Sequence, residues 1–336
     1  MAGIRDVALA AGVSVATVSR ALRGQPHVSE KTRARIQHLA DELGYVPSSS
    51  ASGLRSGRTG ALAVVVPAIS GWYYGRVIEG VDAELRSSGY DMVLFSLGGR
   101  HGERERLFHS SILRKRGDAV LALCMDFSRE ERAELETLGL PAVIVGGPVR
   151  GFRFVGIDER DAARRAVNHL LELGHRDIVY VGGGAEEGRE LNPSVGRERR
   201  AGYVRAMRAA GVSETGIRAI AGEFSTEVAR SRMSELLARA DPPPTAVFAA
   251  SDQMAVGTML AAAEHGLRVP EDLSVVGIDD HPLATPFGLT TVRQDPYQQG
   301  ATAARHLLEE IDDGVPLRRS LKLPVELIVR ASTAAA

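Results

Sequence analysis

The sequence predicts a small all-α helix-turn-helix headpiece followed by a two-lobed α/β core with parallel sheets. Three observations carry this. Apolar residues recur at helical spacing through residues 4–43, interrupted by Gly12 and Gly44. A Ser- and Gly-rich stretch follows at 47–59. From Gly60 onward short apolar runs of strand type alternate with helical stretches, and the rhythm restarts after Asp158. The expected divisions are a headpiece at 1–46, a hinge segment at 47–59 and a core at 60–330. The first lobe takes about 60–158 and 296–322, and the second about 159–294 and 323–330.

In the first helix Ile4, Val7, Ala8 and Ala11 share one face. Gly12 offers a left-handed position at its end, and Ser14 is a good N-cap for the second helix. There Val18, Ala21 and Leu22 face inward, while Val15, Ala16, Ser19, Arg20 and Arg23 face outward. A third helix runs from a Ser29 cap to Leu43, with Ile36, Leu39, Ala40 and Leu43 as its apolar stripe. Such a trio fits the major groove of double-stranded DNA. Arg20 suits a bidentate bond to guanine, and Val15 and Ala16 are small enough to meet a thymine methyl. Ser14, Thr17 and Ser19 suit phosphate oxygens. A helical bundle used for protein contact has the same spacing.

Charge points the same way. Residues 1–60 carry eight Lys/Arg against four Asp/Glu, a net +4, which leaves −5 on the remainder. Within 47–59, Leu54 is a lone large apolar residue between glycine-containing flanks. It has no role in a plain linker, but would serve as a minor-groove wedge in a segment that orders on DNA.

At this point the headpiece resembles the LacI/GalR family of repressors. The resemblance is carried by Ile4-Arg5-Asp6-Val7-Ala8, Ala11–Leu22, Val28–Thr32 and Leu43–Pro47. It implies that Val15, Ala16 and Arg20 read bases, and that Leu54 is a hinge wedge paired with its copy in a homodimer on a palindromic operator. Ser48 and Ser49 depart from the Asn and Arg that family hinges often carry.

In the core, strands are expected at Leu62–Val66, Met92–Phe95, Ala119–Leu123, Ala142–Val145, Ile178–Val181, Ala246–Ala249 and Val275–Ile278. Helices are expected near 76–86, 103–115, 129–138, 161–173, 199–210, 226–240 and 252–265. Open parallel sheets bind ligands at the C-terminal ends of their strands, so the cleft between the lobes is the natural pocket. Ser70, Tyr73 and Tyr74 follow the first strand; the tyrosines suit the face of a sugar or purine, or else pack under the helix. Phe224 is a second candidate platform or else a core residue, and Arg199 stands at the start of a helix, where a surface salt bridge is its default role. Asp279 and Asp280 end a strand, either as acid and base or as acceptors for ligand hydroxyls. Ser251 and Asp252 follow another strand, with Asp252 alternatively capping the next helix. Gln294 lies near a lobe crossover, and Asp126 after the strand 119–123.

The resemblance extends over the whole chain through Ala249–Gly257, Ser274–Asp280, Leu289–Gln294 and Leu173-Gly174-His175-Arg176. It implies a periplasmic-binding-protein-like core whose effector pocket is lined by Arg199, Asp279, Phe224, Ser251 and Gln294, with Tyr73 and Tyr74 from the other lobe. Ser251 departs from the Asn of several relatives.

Several classes drop out. The single cysteine, Cys124, removes disulfides and thiolate zinc sites and fits a reducing cytoplasm. No signal-like apolar stretch follows Met1, and no apolar run is long enough for a membrane span. Gly182-Gly183-Gly184 lacks the Lys and Ser/Thr of a phosphate loop. No metal or nucleophile motif appears, so neither cofactor nor enzyme is expected. The tail after Arg330 carries no heptads. The expectation is a DNA-binding repressor controlled by a sugar-like effector. Its rivals are a sugar receptor without a DNA role, and a regulator answering to a purine, a nucleoside or a partner protein.

Overall fold

The computed structural model describes residues 2–22, 26–45, 58–97, 101–108, 112–183, 193–240, 242–316 and 318–336. The chain forms two compact units, Met1–Gly60 and Ala61–Ala336.

In the first unit α1 (Ile4–Ala11), α2 (Val15–Leu22) and α3 (Glu30–Glu42) enclose a small core of Val7, Ala8, Ala11, Val18, Ala21, Ile36 and Ala40. Gly12 takes φ 64°, a left-handed turn that a β-carbon would strain. Ser14 Oγ accepts the Thr17 N–H at 3.1 Å, and Ser29 caps α3 in the same way through Thr32. Leu43 departs from expectation: it is the C-cap of α3 and 39% exposed, while Tyr45 folds back to pack on the core. Arg23 and Leu54 lie outside the described residues.

The second unit holds two six-stranded sheets built to one plan. The first runs β2 (Asp91–Ser96), β1 (Ala61–Val66), β3 (Ala119–Leu123), β4 (Ala142–Val145), β5 (Arg153–Ile157), β11 (Leu321–Leu323) and is parallel throughout. The second runs β7 (Arg218–Ala221), β6 (Ile178–Gly182), β8 (Ala246–Ala249), β9 (Ser274–Asp279), β10 (Thr290–Arg293), β12 (Glu326–Ile328), with only the last pair antiparallel. The central strands are continuous apolar runs because helices cover both faces. Strand order reverses beside β1 and beside β6. The helices after those strands, α4 (Trp72–Ser88) and α9 (Pro193–Ala209), therefore start at the crevice where such sheets bind ligands. The other helices are α5 (His101–Phe108), α6 (Ile112–Arg116), α7 (Arg129–Leu138), α8 (Glu159–Glu172), α10 (Thr226–Leu237), α11 (Asp252–Glu264) and α12 (Pro296–Asp313).

The stretch expected as one helix near 103–115 is thus two helices, α5 and α6, with 109–111 outside the described residues. The chain passes between the lobes three times: from β5 into α8, from β10 into α12, and from β11 into β12. On the first lobe α12 lies against α4 at backbone contact. A β-carbon on Gly300 would sit 2.1 Å from the Val77 carbonyl oxygen, and one on Gly80 would sit 2.0 Å from that of Tyr297. The tail past Arg330 is stitched to the second lobe. Val275 donates its N–H to the Ser332 carbonyl, and the His175 ring lies between Thr245 Oγ1 and the Ala334 carbonyl at 3.0 Å from each. Among the described residues no helix is long and apolar enough to cross a membrane.

Candidate functional site

The strand ends of the two lobes deliver a continuous row of polar side chains. Tyr73, on the first turn of α4, donates its hydroxyl to Gln299 Oε1 at 2.6 Å. Gln299 Nε2 donates to Gln294 Oε1 at 2.8 Å, and Gln294 Nε2 donates to Asp279 Oδ1 at 2.6 Å. Asp279 Oδ1 lies 3.8 Å from Arg199 Nη1, and Arg199 Nε donates to Glu159 Oε2 at 2.7 Å. Arg199 also donates to the Ala250 carbonyl at the end of β8. Gln294, Gln299, Asp279, Arg199 and Glu159 are all buried. The row joins Tyr73 and Gln299 on the first lobe to Arg199 and Asp279 on the second.

Burial and ion pairing pull on the titratable groups of this row in opposite directions. Burial alone would lower the Arg199 pKa; Glu159 and Asp279 more than offset it, so the net shift is upward. Burial raises the Asp279 pKa, with Arg199 and the Gln294 bond pulling the other way. Burial likewise raises that of Glu159, against the pull of Arg199. Burial, with a smaller push from Cys124, holds the Tyr73 phenol well above its ordinary value, so it stays a donor.

Behind the row stands Asp252. Its Oδ1 accepts the Thr291 hydroxyl at 2.6 Å and its Oδ2 accepts the His281 N–H at 2.8 Å. It is not the cap of α11: Ser251 is, its Oγ accepting the Met254 N–H at 3.3 Å. Asp252 is fully buried, and burial first, then Asp279, raises its pKa. A carboxyl whose folded pKa is raised stabilises the fold at low pH and loses that contribution as pH climbs through the raised value. Relative to wild type, Asp252→Asn is therefore expected to gain melting temperature steadily as pH rises from the ordinary carboxylate range. Melting curves of both proteins across roughly pH 4–9 check this, and a constant difference across that range contradicts it.

The other expected residues are placed as follows. Arg199 is not at the start of its helix but in the second turn of α9, because the helix begins at Pro193. Asp280 does not pair with Asp279: its carboxylate bonds Arg293 Nε and Arg330 Nη2, each at 2.7 Å, so the two adjacent acids diverge. Tyr74 is 6% exposed and packs in the core of the first lobe. Phe224 is half-buried against the second lobe's core, in a left-handed turn with φ 50°. Ser70 is exposed in the loop before α4. Asp126 forms an ion pair with Arg197 at 2.9 Å, with Arg197 from α9 and Asp126 from the loop after β3, outside the row. Glu159, Gln299 and Thr291 were not anticipated. Glu159 alone had a signal, since an arginine expected in a pocket needs a carboxylate beside it.

On the first unit Val15, Ala16 and Arg20 are exposed on one side of α2, while Val18 and Ala21 are buried on the other. Ser14 Oγ and Thr17 Oγ1 lie 2.9 Å apart at the exposed N-terminus of that helix.

Comparison with known proteins agrees with both units. A model of "Bacterial regulatory proteins, lacI family" matches residues 3–48, and one of "Periplasmic binding protein-like domain" matches residues 167–333. The HTH-type transcriptional repressor PurR of Vibrio atlanticus (strain LGP32) is 33% identical over 337 residues, spanning 99% of this chain and 98% of its own. The HTH-type transcriptional repressor CytR of Escherichia coli (strain K12) is 34% identical over 340 residues, spanning 99% of this chain and 97% of its own. The lac repressor dimer bound to operator and the anti-inducer ONPF superposes with a TM-score of 0.86 at 28% identity, covering 99% of each chain. A CelR–cellobiose complex superposes at 0.72 with 32% identity, covering 99% of this chain and all of the other. With a matching headpiece, a matching core and full-length relatives of the same order, the chain belongs to the LacI family of DNA-binding transcriptional repressors.

Proposed function

We propose that this repressor binds a near-palindromic operator as a homodimer, and that a small polyhydroxylated effector between its lobes, a sugar in the first instance, sets its operator affinity. The observation that carries this is the buried row Tyr73–Gln299–Gln294–Asp279–Arg199. It alternates donors and acceptors along a seam between two lobes, which is what a ring bearing several hydroxyls requires. Tyr73, Arg199, Asp279 and Gln294 would contact the effector, with Ser251 and Phe224 flanking. Asp252 would act by fixing the turn beside Asp279. A solved relative holds cellobiose, which supports a sugar as the first candidate. The reading is of binding without turnover: Asp280 is committed to Arg293 and Arg330, and Asp279 is engaged by Gln294 and Arg199. A cytoplasmic location goes with operator DNA as the target.

On the DNA side Arg20 reads a guanine, Val15 and Ala16 lie against the floor of the major groove, and Ser14, Thr17 and Ser19 contact phosphates. The test is to incubate the protein with fragmented genomic DNA from its source and sequence what it retains. One enriched palindrome is expected; retention without sequence preference would overturn the operator reading. Arg20→Ala should lose about 5- to 150-fold in discrimination between that site and scrambled DNA, the worth of a bidentate base contact, and keep effector binding. Asp279→Asn should lose binding of the sugar found in a thermal-shift screen and still retain the operator. Loss of both functions together would sink the assignment of Asp279.

A further inference from the structure

We propose that Trp72 and His281 form an aromatic clasp that holds the two lobes together over the polar row and must part before a ligand can enter. The inference rests on the reading of that row as the effector site. Trp72 is the chain's single tryptophan and the first residue of α4, next to Tyr73 at one end of the row. His281 belongs to the second lobe, two residues beyond Asp279 at the other side of the seam. Their ring centroids are 4.8 Å apart at 59°, within the range of a favourable aromatic pair.

The imidazole is held in place on its own lobe. Ring Nδ1 accepts the Leu283 backbone N–H at 3.0 Å, and the backbone N–H of His281 donates to Asp252 Oδ2 at 2.8 Å, which fixes the chain that carries the ring. The ring therefore carries its proton on Nε2 and is neutral, and its burial favours that state. With its orientation fixed from behind, the imidazole presents a set surface to Trp72. Both rings are half-buried, each covering part of the other. The contact joins side chains from opposite lobes, so it exists only while the lobes keep this relation. A second interlobe contact, the Arg197–Asp126 ion pair, has side chains 63% and 36% exposed and is weakened by salt. The ring pair is not.

The experiment uses the full chain and the fluorescence of Trp72, with acrylamide as the probe and small-angle scattering as a second readout, so no effector is needed. Removing one ring should shift the closed-to-open ratio about 2- to 10-fold. His281→Ala is expected to make Trp72 more accessible to acrylamide, move its emission to the red and enlarge the radius of gyration. His281→Phe keeps a ring and is expected to restore all three. Because quenching and scattering are both read without any effector, the clasp stands or fails independently of whether a sugar binds the row. The proposal is overturned if His281→Ala quenches like wild type, or if quenching rises while the radius of gyration stays fixed. Circular dichroism confirms that each variant is folded; should His281→Ala not fold, Trp72→Phe against Trp72→Ala, read by scattering alone, decides the same question.

Discussion

Arg199→Met is expected to abolish effector binding and to cost the core about 3–5 kcal/mol, the usual penalty for removing one partner of a buried ion pair. The side chain is 4% exposed, and it answers Glu159 and Asp279 at once while bonding the Ala250 carbonyl. Without it, two carboxylates stay in a dry seam already holding Asp252, and one or more must take up a proton. Arg199→Lys should recover only part of the loss, because one ammonium cannot match the fork of a guanidinium aimed at three acceptors. Pairing Arg199→Met with Glu159→Gln should recover part of the stability but not the binding. Urea denaturation of the four proteins checks the scheme, and a single-variant cost under about 1 kcal/mol would place the group in solvent rather than in the interior.

Gly300→Ala should destabilise the first lobe by about 3 kcal/mol or more, beyond the usual cost of overpacking because the obstacle is backbone. The added carbon meets the Val77 carbonyl oxygen at 2.1 Å, and no rotamer change relieves it; α4 and α12 must separate. Gln299 is the neighbouring residue and receives the Tyr73 hydroxyl across that same helix pair. Effector affinity should therefore fall together with stability, although residue 300 touches no ligand. Thermal melting and a binding titration on one preparation check both. An unchanged melting temperature would mean that the helices are not in backbone contact.

The fold was legible where local chemistry decides it. Gly12 and Ser14 mark the turn of the headpiece, and Val18 and Ala21 separate its inward face from its outward one. Apolar runs such as Ala61–Val66 announce the central strands. Less visible were strands with polar or very short sequences at the sheet margins, Arg218–Ala221, Leu321–Leu323 and Glu326–Ile328, whose pairing is set by neighbours distant in sequence. The same holds for the site. Asp279 and Gln294 stood out by their places at a strand end and near the crossover, and Arg199 through the family resemblance. Gln299 and Thr291 did not, because what recruits them is company supplied by another lobe or strand. Ser251 and Asp252 are both good helix caps, and sequence alone does not say which takes the position; burial of Asp252 against Thr291 and the His281 N–H decides it.

The three chain passages between the lobes have a mechanical consequence. Two of them leave neighbouring strands of the first sheet, β5 and β11, and β10 and β12 are neighbours in the second, so the crossings cluster and favour rotation about one line over twisting. A ligand that drew Asp279 toward Tyr73 would then move the second lobe along that arc. Different effectors would be sorted by how far along the arc they bring the lobes, and the output would be graded by one angle.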